Sequence, residues 1–170
     1  MGLRQVETKE VTVGDRKLYL KPYPAFKAIN LVGELTSTLV PLISAVMPLI
    51  TEDDGKENKK SLMDADATVA ASAMMNASES VSGDKMEKLM KKLLIENKNV
   101  IFIDEDDKGN EYQCILDKDN ADEMFCGEVQ DMFILAFEVI RNNFSGFFKK
   151  IATQFGNPKL ASAIKKREII

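Results

Sequence analysis

The chain has no histidine, and its only two cysteines are Cys114 and Cys126. Histidine is the most common general acid or base in enzymes, so its absence disfavours a catalytic role. Zinc sites need Cys and His ligands clustered at short spacings, and the chain has no CxxC pair, so we expect no metal site. Because the sequence shows no secretory signal, we expect two free, reduced thiols.

The chain also lacks a long hydrophobic run and a concentrated basic surface. Its longest apolar stretch, 39–50, contains two prolines and is shorter than the roughly 20 residues that cross a bilayer. The net charge is −4, whereas a generic nucleic-acid binder is basic. We therefore predict a cytoplasmic protein that binds neither membrane nor nucleic acid. A length of 170 residues suits one domain.

Sequence motifs of enzymes are missing as well. There is no Walker A sequence, no GxGxxG and no GxSxG. The acidic cluster Glu52–Asp54 lies in a polar segment, with no apolar pocket that would separate the pKa values of two carboxylates. The sequence does not exclude a catalytic Ser–Lys pair. We expect no enzymatic activity and no cofactor; an enzyme that uses a carboxylate or a serine is the alternative.

One segment partly matches a calcium-binding loop. Asp104, Asp106 and Gly109 fit the first, third and sixth positions of such a loop. Lys108 stands at the fifth position, where an oxygen ligand belongs, and Ile115 replaces the bidentate glutamate at the twelfth. Strand-like sequence flanks the segment on both sides. The pattern therefore favours a charged hairpin turn.

Alternation with period two predicts two β-hairpins. In the first hairpin, Leu18 and Leu20 share one face, while the lysines and Tyr19 share the other. Gly14 and Asp15 form its turn. The predicted strands lie at 5–13, 17–21, 100–103 and 111–116.

Apolar residues at helical spacing predict that most of the remaining chain is helical. Ser82 and Asn120 are predicted N-caps. The helix at 121–143 is apolar over too wide an arc for one stripe, which indicates a central helix. The first helix has apolar residues near helical spacing, and these are Phe26, Ile29, Leu31, Val32 and Leu35. The predicted helices lie at 24–50 (interrupted at Pro41 and Pro48), 62–75, 84–97, 121–143 and 144–155.

These elements indicate an α+β fold. We expect a mainly helical single domain over residues 1–156, with one hairpin at its N-terminus and a second before the long C-terminal helices. A mobile loop is expected at 51–61 and a flexible C-terminal tail at 157–170.

An aromatic segment near the C-terminus is the candidate protein-binding site. Its apolar residues include the i, i+3, i+4 and i+7 spacing by which amphipathic helices anchor in a partner's groove. Packing of these side chains in the core of the protein itself is the alternative. The residues are Phe144, Phe147, Phe148, Ile151 and Phe155.

The same region carries a resemblance to a known family. From Asn120 the sequence reads NADEMFCGEVQDMFILAFEVIRNNFSGFFKK. Its acidic start, the helix at 130–140 and the aromatic segment at 143–150 resemble the C-terminal region of tail assembly chaperones from siphophages and prophages of Gram-positive bacteria. The segment LYLKPYPAFKAINL, which begins at Leu18, is similar to the opening of such proteins. The resemblance covers about half of the chain.

The resemblance implies a function without catalysis. Such chaperones bind the tape measure protein in the host cytoplasm, keep it soluble and help to recruit tail tube subunits. Many self-associate, many are also made in a longer frameshifted form, and they are absent from the mature virion. A structural head–tail connector or tail terminator is the alternative.

Overall fold

The structure is a computed structural model that describes residues 7–34, 36, 38, 41 and 66–155, with residues 145–155 as backbone only. The predicted loop at 51–61 and the predicted tail at 157–170 lie outside the described residues. A π-helical turn, Lys92–Glu96, continues the third helix. The helices and strands in chain order are β1 (Lys9–Val13), β2 (Arg16–Leu20), α1 (25–34), α2 (Ala67–Ser78), α3 (Gly83–Lys91), β3 (Val100–Glu105), β4 (Glu111–Ile115), α4 (Lys118–Met124) and α5 (Val129–Phe155).

Both predicted hairpins are present, and they join into one antiparallel sheet with the order β1-β2-β3-β4. The junction is the pairing of β2 with β3, in which Leu18 lies opposite Phe102 and Leu20 opposite Val100. A sheet covered by helices confirms the α+β prediction. The joining of the two hairpins was not predicted.

The first hairpin places its apolar residues on one face, as predicted. Leu18 and Leu20 are fully buried, together with Val13 of β1. The turn needs Gly14, whose φ of +60° is disfavoured for residues with a side chain. A Cβ at this position would also lie 2.5 Å from Oδ2 of Asp131. The turn therefore packs directly against the first turn of α5.

The helices α2 and α3 also contribute buried side chains to the core. Asp66 caps α2 by accepting hydrogen bonds from the backbone N–H groups of Thr68 and Val69, at 2.8 and 3.1 Å. Ser82 occupies the predicted N-cap position of α3, but its side chain makes no capping hydrogen bond. Helix α3 and the π-helical turn together correspond to the helix predicted at 84–97. Their buried apolar residues are Leu89, Met90, Leu93 and Leu94.

The prediction of one helix over 121–143, capped by Asn120, is wrong. Asp117 is the N-cap of α4, and its carboxylate accepts the Asn120 backbone N–H at 2.9 Å. The Asn120 side chain accepts the Asp117 N–H at 2.8 Å, so Asn120 lies inside the helix as the second half of a capping box. Gly127, with φ +78°, then separates α4 from α5 because left-handed backbone cannot continue a helix.

The helix α5 is central, as predicted. Residues 133–140 are all buried, including the charged Glu138. The Glu138 carboxylate pairs with Lys9 of β1 at 3.3 Å and accepts a hydrogen bond from Nε of Arg141 at 3.2 Å. The Arg141 guanidinium lies 5.3 Å from the centre of the Phe137 ring. The buried carboxylate is thus compensated by two cations, and it joins α5 to the sheet.

Candidate functional site

The position of α1 is fixed by Tyr23, which is buried just before the helix begins. The Tyr23 backbone N–H donates to Oδ1 of Asn143 at 2.7 Å, and its hydroxyl donates to the Leu93 carbonyl. Burial raises the pKa of the Tyr23 hydroxyl far above its usual value, so the hydroxyl remains a donor. The centre of the Tyr23 ring lies 5.9 Å from the centre of the Phe144 ring. These contacts connect the start of α1 to α5 and to the π-helical turn.

The apolar residues of α1 do not form one core-facing stripe. Leu31 is buried, with 4% of its surface exposed, and Val32 is half-buried against the core. Phe26 is 88% exposed and Ile29 is 69% exposed. At about 100° per residue, Phe26 and Leu31 point about 140° apart, so one neighbour cannot cover both. Leu35 lies outside the described residues.

The exposed side of α1 also carries a glycine. Phe26, Ile29 and Gly33 follow the i, i+3, i+7 spacing of one helix face. A Cβ at Gly33 would meet no atom within 4 Å in the described part of the chain. We call these three residues the α1 face. It offers two large apolar side chains beside a position where another backbone could approach closely.

A small apolar pocket adjoins this face. Its volume is about 290 Å³, and it is lined by Ala28, Ile29, Val32 and Phe144. Ile29 thus belongs both to the α1 face and to the rim of the pocket. The pocket therefore connects the α1 face with the first residue of the predicted aromatic site.

Within that predicted site, the structure describes one side chain. Phe144 is only 4% exposed and packs on Tyr23, so it belongs to the core. Its backbone is non-helical, with φ −122° and ψ 16°, which puts a kink in α5. The backbone continues as a helix to Phe155. The side chains of Phe147, Phe148, Ile151 and Phe155 lie outside the described part of the structure.

The segment with partial similarity to a calcium loop forms a tight turn between β3 and β4. The Asp106 carboxylate accepts hydrogen bonds from the backbone N–H groups of Lys108 and Asn110, at 2.8 and 2.9 Å, and from the Asn110 side chain. Hydrogen bonding, first with the Asn110 side chain, lowers the pKa of Asp106. The carboxylate thus serves to hold the turn. The acidic cluster Glu52–Asp54 lies outside the described residues.

Two other carboxylates with a lowered pKa form ion pairs on the surface. A hydrogen bond from Lys92 lowers the pKa of Glu34, and one from Lys91 lowers the pKa of Glu87. Both thiols, Cys114 and Cys126, are free. In the part of the chain that the structure describes, no three His, Cys, Asp or Glu residues are grouped to hold a metal ion. No described helix is long and apolar enough to cross a membrane.

Comparison with known proteins identifies a family. The model of the family described as phage tail assembly chaperone protein, TAC, matches residues 14–156. Searches of curated proteins and of solved structures found no match. The matched range contains α1 to α5 and both segments that carried the resemblance in the sequence. The chain therefore belongs to the phage tail assembly chaperone family.

Proposed function

We propose that this chaperone binds the tape measure protein of its phage, keeps it soluble and helps to recruit tail tube subunits while the tail is assembled. It acts in the host cytoplasm, uses no catalysis and is absent from the mature virion. Membership of the family supports a role in tail assembly. The observation that carries the client-binding part is the exposure of Phe26 and Ile29 on α1.

The α1 face has the properties that reversible binding of a client requires. Burying one large apolar side chain yields about 1.5–3 kcal/mol, so two such residues support an affinity that still permits release. Gly33 allows the backbone of a client helix to approach α1 closely. A long helical client with apolar stripes would lose exposed apolar surface on this face, which is how a holdase prevents aggregation.

The aromatic segment is proposed as the second half of the client site. Phe147, Phe148, Ile151 and Phe155 follow the spacing of helix-in-groove anchors. Support for a joint surface comes from the apolar pocket, whose lining includes both Ile29 and Phe144. In this arrangement the buried Phe144 anchors the segment to the core, and the four later residues contact the client.

Co-expression with the tape measure protein tests the proposal. Wild-type chaperone is expected to raise the soluble fraction of tape measure protein and to co-purify with it. The double variant F26S/I29S is expected to lose most of this effect while it remains folded, because both side chains are exposed. The control V129S removes an apolar side chain that is 55% exposed on another helix and should behave as wild type. Equal solubilisation by all three proteins would exclude the α1 face as the client site.

The composition of purified virions separates this function from the structural alternative. A chaperone that leaves during assembly is expected to be missing from the mass spectrum of purified particles. A head–tail connector or a tail terminator would remain in stoichiometric amounts. Detection of the chain in intact particles, at a fixed ratio to tail proteins, would therefore reject the proposal.

A further inference from the structure

The strand β4 leaves one side of its backbone unpaired. It is the last strand in the order β1-β2-β3-β4, and no strand of the described chain lies beyond it. Its register with β3 runs without a bulge from the pair Ile101–Ile115 to the pair Glu105–Glu111. It also has no proline and no lysine, which in many proteins keep other strands away from an edge. This edge of the sheet is therefore regular and open to a further strand.

Alternate residues of β4 direct their backbone groups toward this open edge. The Leu116 N–H donates to the Val100 carbonyl at 2.9 Å, so this pair is bonded across β3 and β4. In an antiparallel pair of strands, residues that bond to the neighbouring strand alternate with residues that do not. The residues whose backbone groups point outward are therefore Glu111, Gln113 and Ile115. The Ile115 carbonyl accepts a hydrogen bond from the Asn120 side chain at 3.3 Å, and the other outward groups have no partner in the described chain.

The side chains along this edge are apolar at one end and acidic at the other. Ile115 is 47% exposed, and Ile103 on the same face of the sheet is exposed as well. At the acidic end, Glu111 lies directly opposite Glu105, and within the described chain neither carboxylate makes an ion pair. Like charges directly opposite each other destabilise a strand pair. A cation placed beside Glu111 would relieve this repulsion.

The charge of the whole hairpin favours a basic partner. Segment 100–116 carries five carboxylates and one lysine, so its net charge of −4 equals that of the entire chain. The remaining residues are therefore neutral overall, and the excess negative charge is concentrated on this hairpin. It attracts a basic segment and repels a second acidic hairpin, so pairing of β4 with β4 of another copy is disfavoured.

We propose that β4 binds an extended segment of another protein, which adds to the sheet as a fifth strand. Backbone hydrogen bonds to the outward groups of β4 supply affinity, and side-chain pairs supply specificity. The segment runs antiparallel to β4, with an apolar residue opposite Ile115 and, four residues later, a lysine or arginine opposite Glu111. The expected partner is thus a strand-forming sequence with a basic end. This site is separate from the α1 face, on which the client proposal rests.

A peptide with this pattern tests the site on the full-length protein. The probe is acetyl-Val-Thr-Thr-Thr-Lys-Arg-amide, and its binding is measured by NMR titration. Gln113→Pro is expected to weaken binding about tenfold or more, because it removes an outward N–H and places a ring at the edge, while the bonds to β3 remain. Gln113→Thr keeps the N–H and should bind as the wild type does. No binding to the wild type, or equal binding by a folded Gln113→Pro variant, would overturn the proposal.

An exchange of charges tests the proposed orientation. Glu111→Lys is expected to weaken binding of this peptide and to favour a second peptide in which glutamate replaces the lysine. The control Glu79→Lys makes the same change in net charge at the exposed end of α2 and should leave the preference for the first peptide unchanged. Equal effects of the two substitutions would show attraction to the overall charge alone and would reject the site.

Amide hydrogen exchange tests whether a strand is added. The bound peptide is expected to slow exchange at residues 111, 113 and 115, whereas residues 112 and 114 are protected by β3 already. Binding without this alternation would overturn the proposal. So would alternating protection in the free protein that increases with its concentration, since a second copy would then occupy the edge. None of these experiments involves the tape measure protein or α1, so their failure leaves the client-binding proposal to its own test.

Discussion

Replacing Gly33 with alanine should have opposite effects on folding and on association. In a helix interior, glycine is about 0.8–1.0 kcal/mol less favourable than alanine. Gly33 lies within α1, and residues 36, 38 and 41 are helical as well, so it is an interior position. The added methyl meets no atom within 4 Å in the described chain. G33A is therefore expected to increase the free energy of unfolding by close to 1 kcal/mol.

The same methyl should weaken any complex that packs tightly on the α1 face. Overfilling a closely packed contact typically costs about 1–3 kcal/mol, which corresponds to a loss of roughly 5- to 150-fold in affinity. The loss should appear in the binding of tape measure protein. A residue that stabilises the monomer yet weakens its complexes would identify a close contact made only between chains.

Urea unfolding of the free chain measures the first effect. For a chain of this length the gain corresponds to a rise of roughly 2–4 °C in melting temperature. Co-purification with the tape measure protein measures the second effect. Gly83→Ala is the matched control, because Gly83 opens α3 and is also free of neighbours within 4 Å in the described chain. A stabilised G33A that associates as tightly as the wild type would refute the reasoning.

Three further predictions concern other parts of the molecule. F147S/F148S is expected to weaken co-purification with the tape measure protein without lowering the melting temperature; a variant that unfolds instead would assign both rings to the core. Glu138→Gln should lower the free energy of urea unfolding by about 3 kcal/mol, because it removes the charge of a buried carboxylate that both Lys9 and Arg141 contact. Lys9→Met should lower it much less, since the contact of Glu138 with Arg141 remains. Asp117→Ala should cost about 1 kcal/mol through loss of the α4 cap, and an unchanged unfolding midpoint would contradict the capping box.

The local elements were predictable because short-range periodicity determines them. Alternation in 17–21 identified the faces of β2 correctly, and both hairpins exist. Pairing between β2 and β3 joins segments far apart in sequence. Such pairing depends on how the helices pack the two hairpins together, which a local pattern does not encode.

The exposed face of α1 was missed for a geometric reason. Phe26, Ile29 and Leu31 all satisfy a loose helical spacing, but their angles cover more than one side of the helix. Gly33 was a usable signal, since a glycine among exposed helix positions often has a packing or functional reason. Hydrophobicity alone could not show which of the two sides packs on the core.

The break between α4 and α5 was missed because apolar residues continue through it. Met124 and Phe125 extend the helical pattern, and an isolated glycine such as Gly127 is tolerated in many helices. The usable signal was the pair Asp117 and Asn120, whose spacing of three matches a capping box and places the helix start three residues earlier than predicted.

The pairing of β2 with β3 has a consequence for the order of folding during synthesis. Strand β2 gains its second neighbouring strand only after β3 has been synthesised, because Leu18 pairs with Phe102, more than eighty residues later. An isolated two-stranded hairpin is at best marginally stable in water, so the hairpin of β1 and β2 is not expected to be stable before β3 is present. Closing so long a loop carries an entropic penalty and slows folding. We therefore expect the first hairpin of the nascent chain to stay without its third strand until β3 has left the ribosome, and truncations that end before Val100 should yield unfolded fragments.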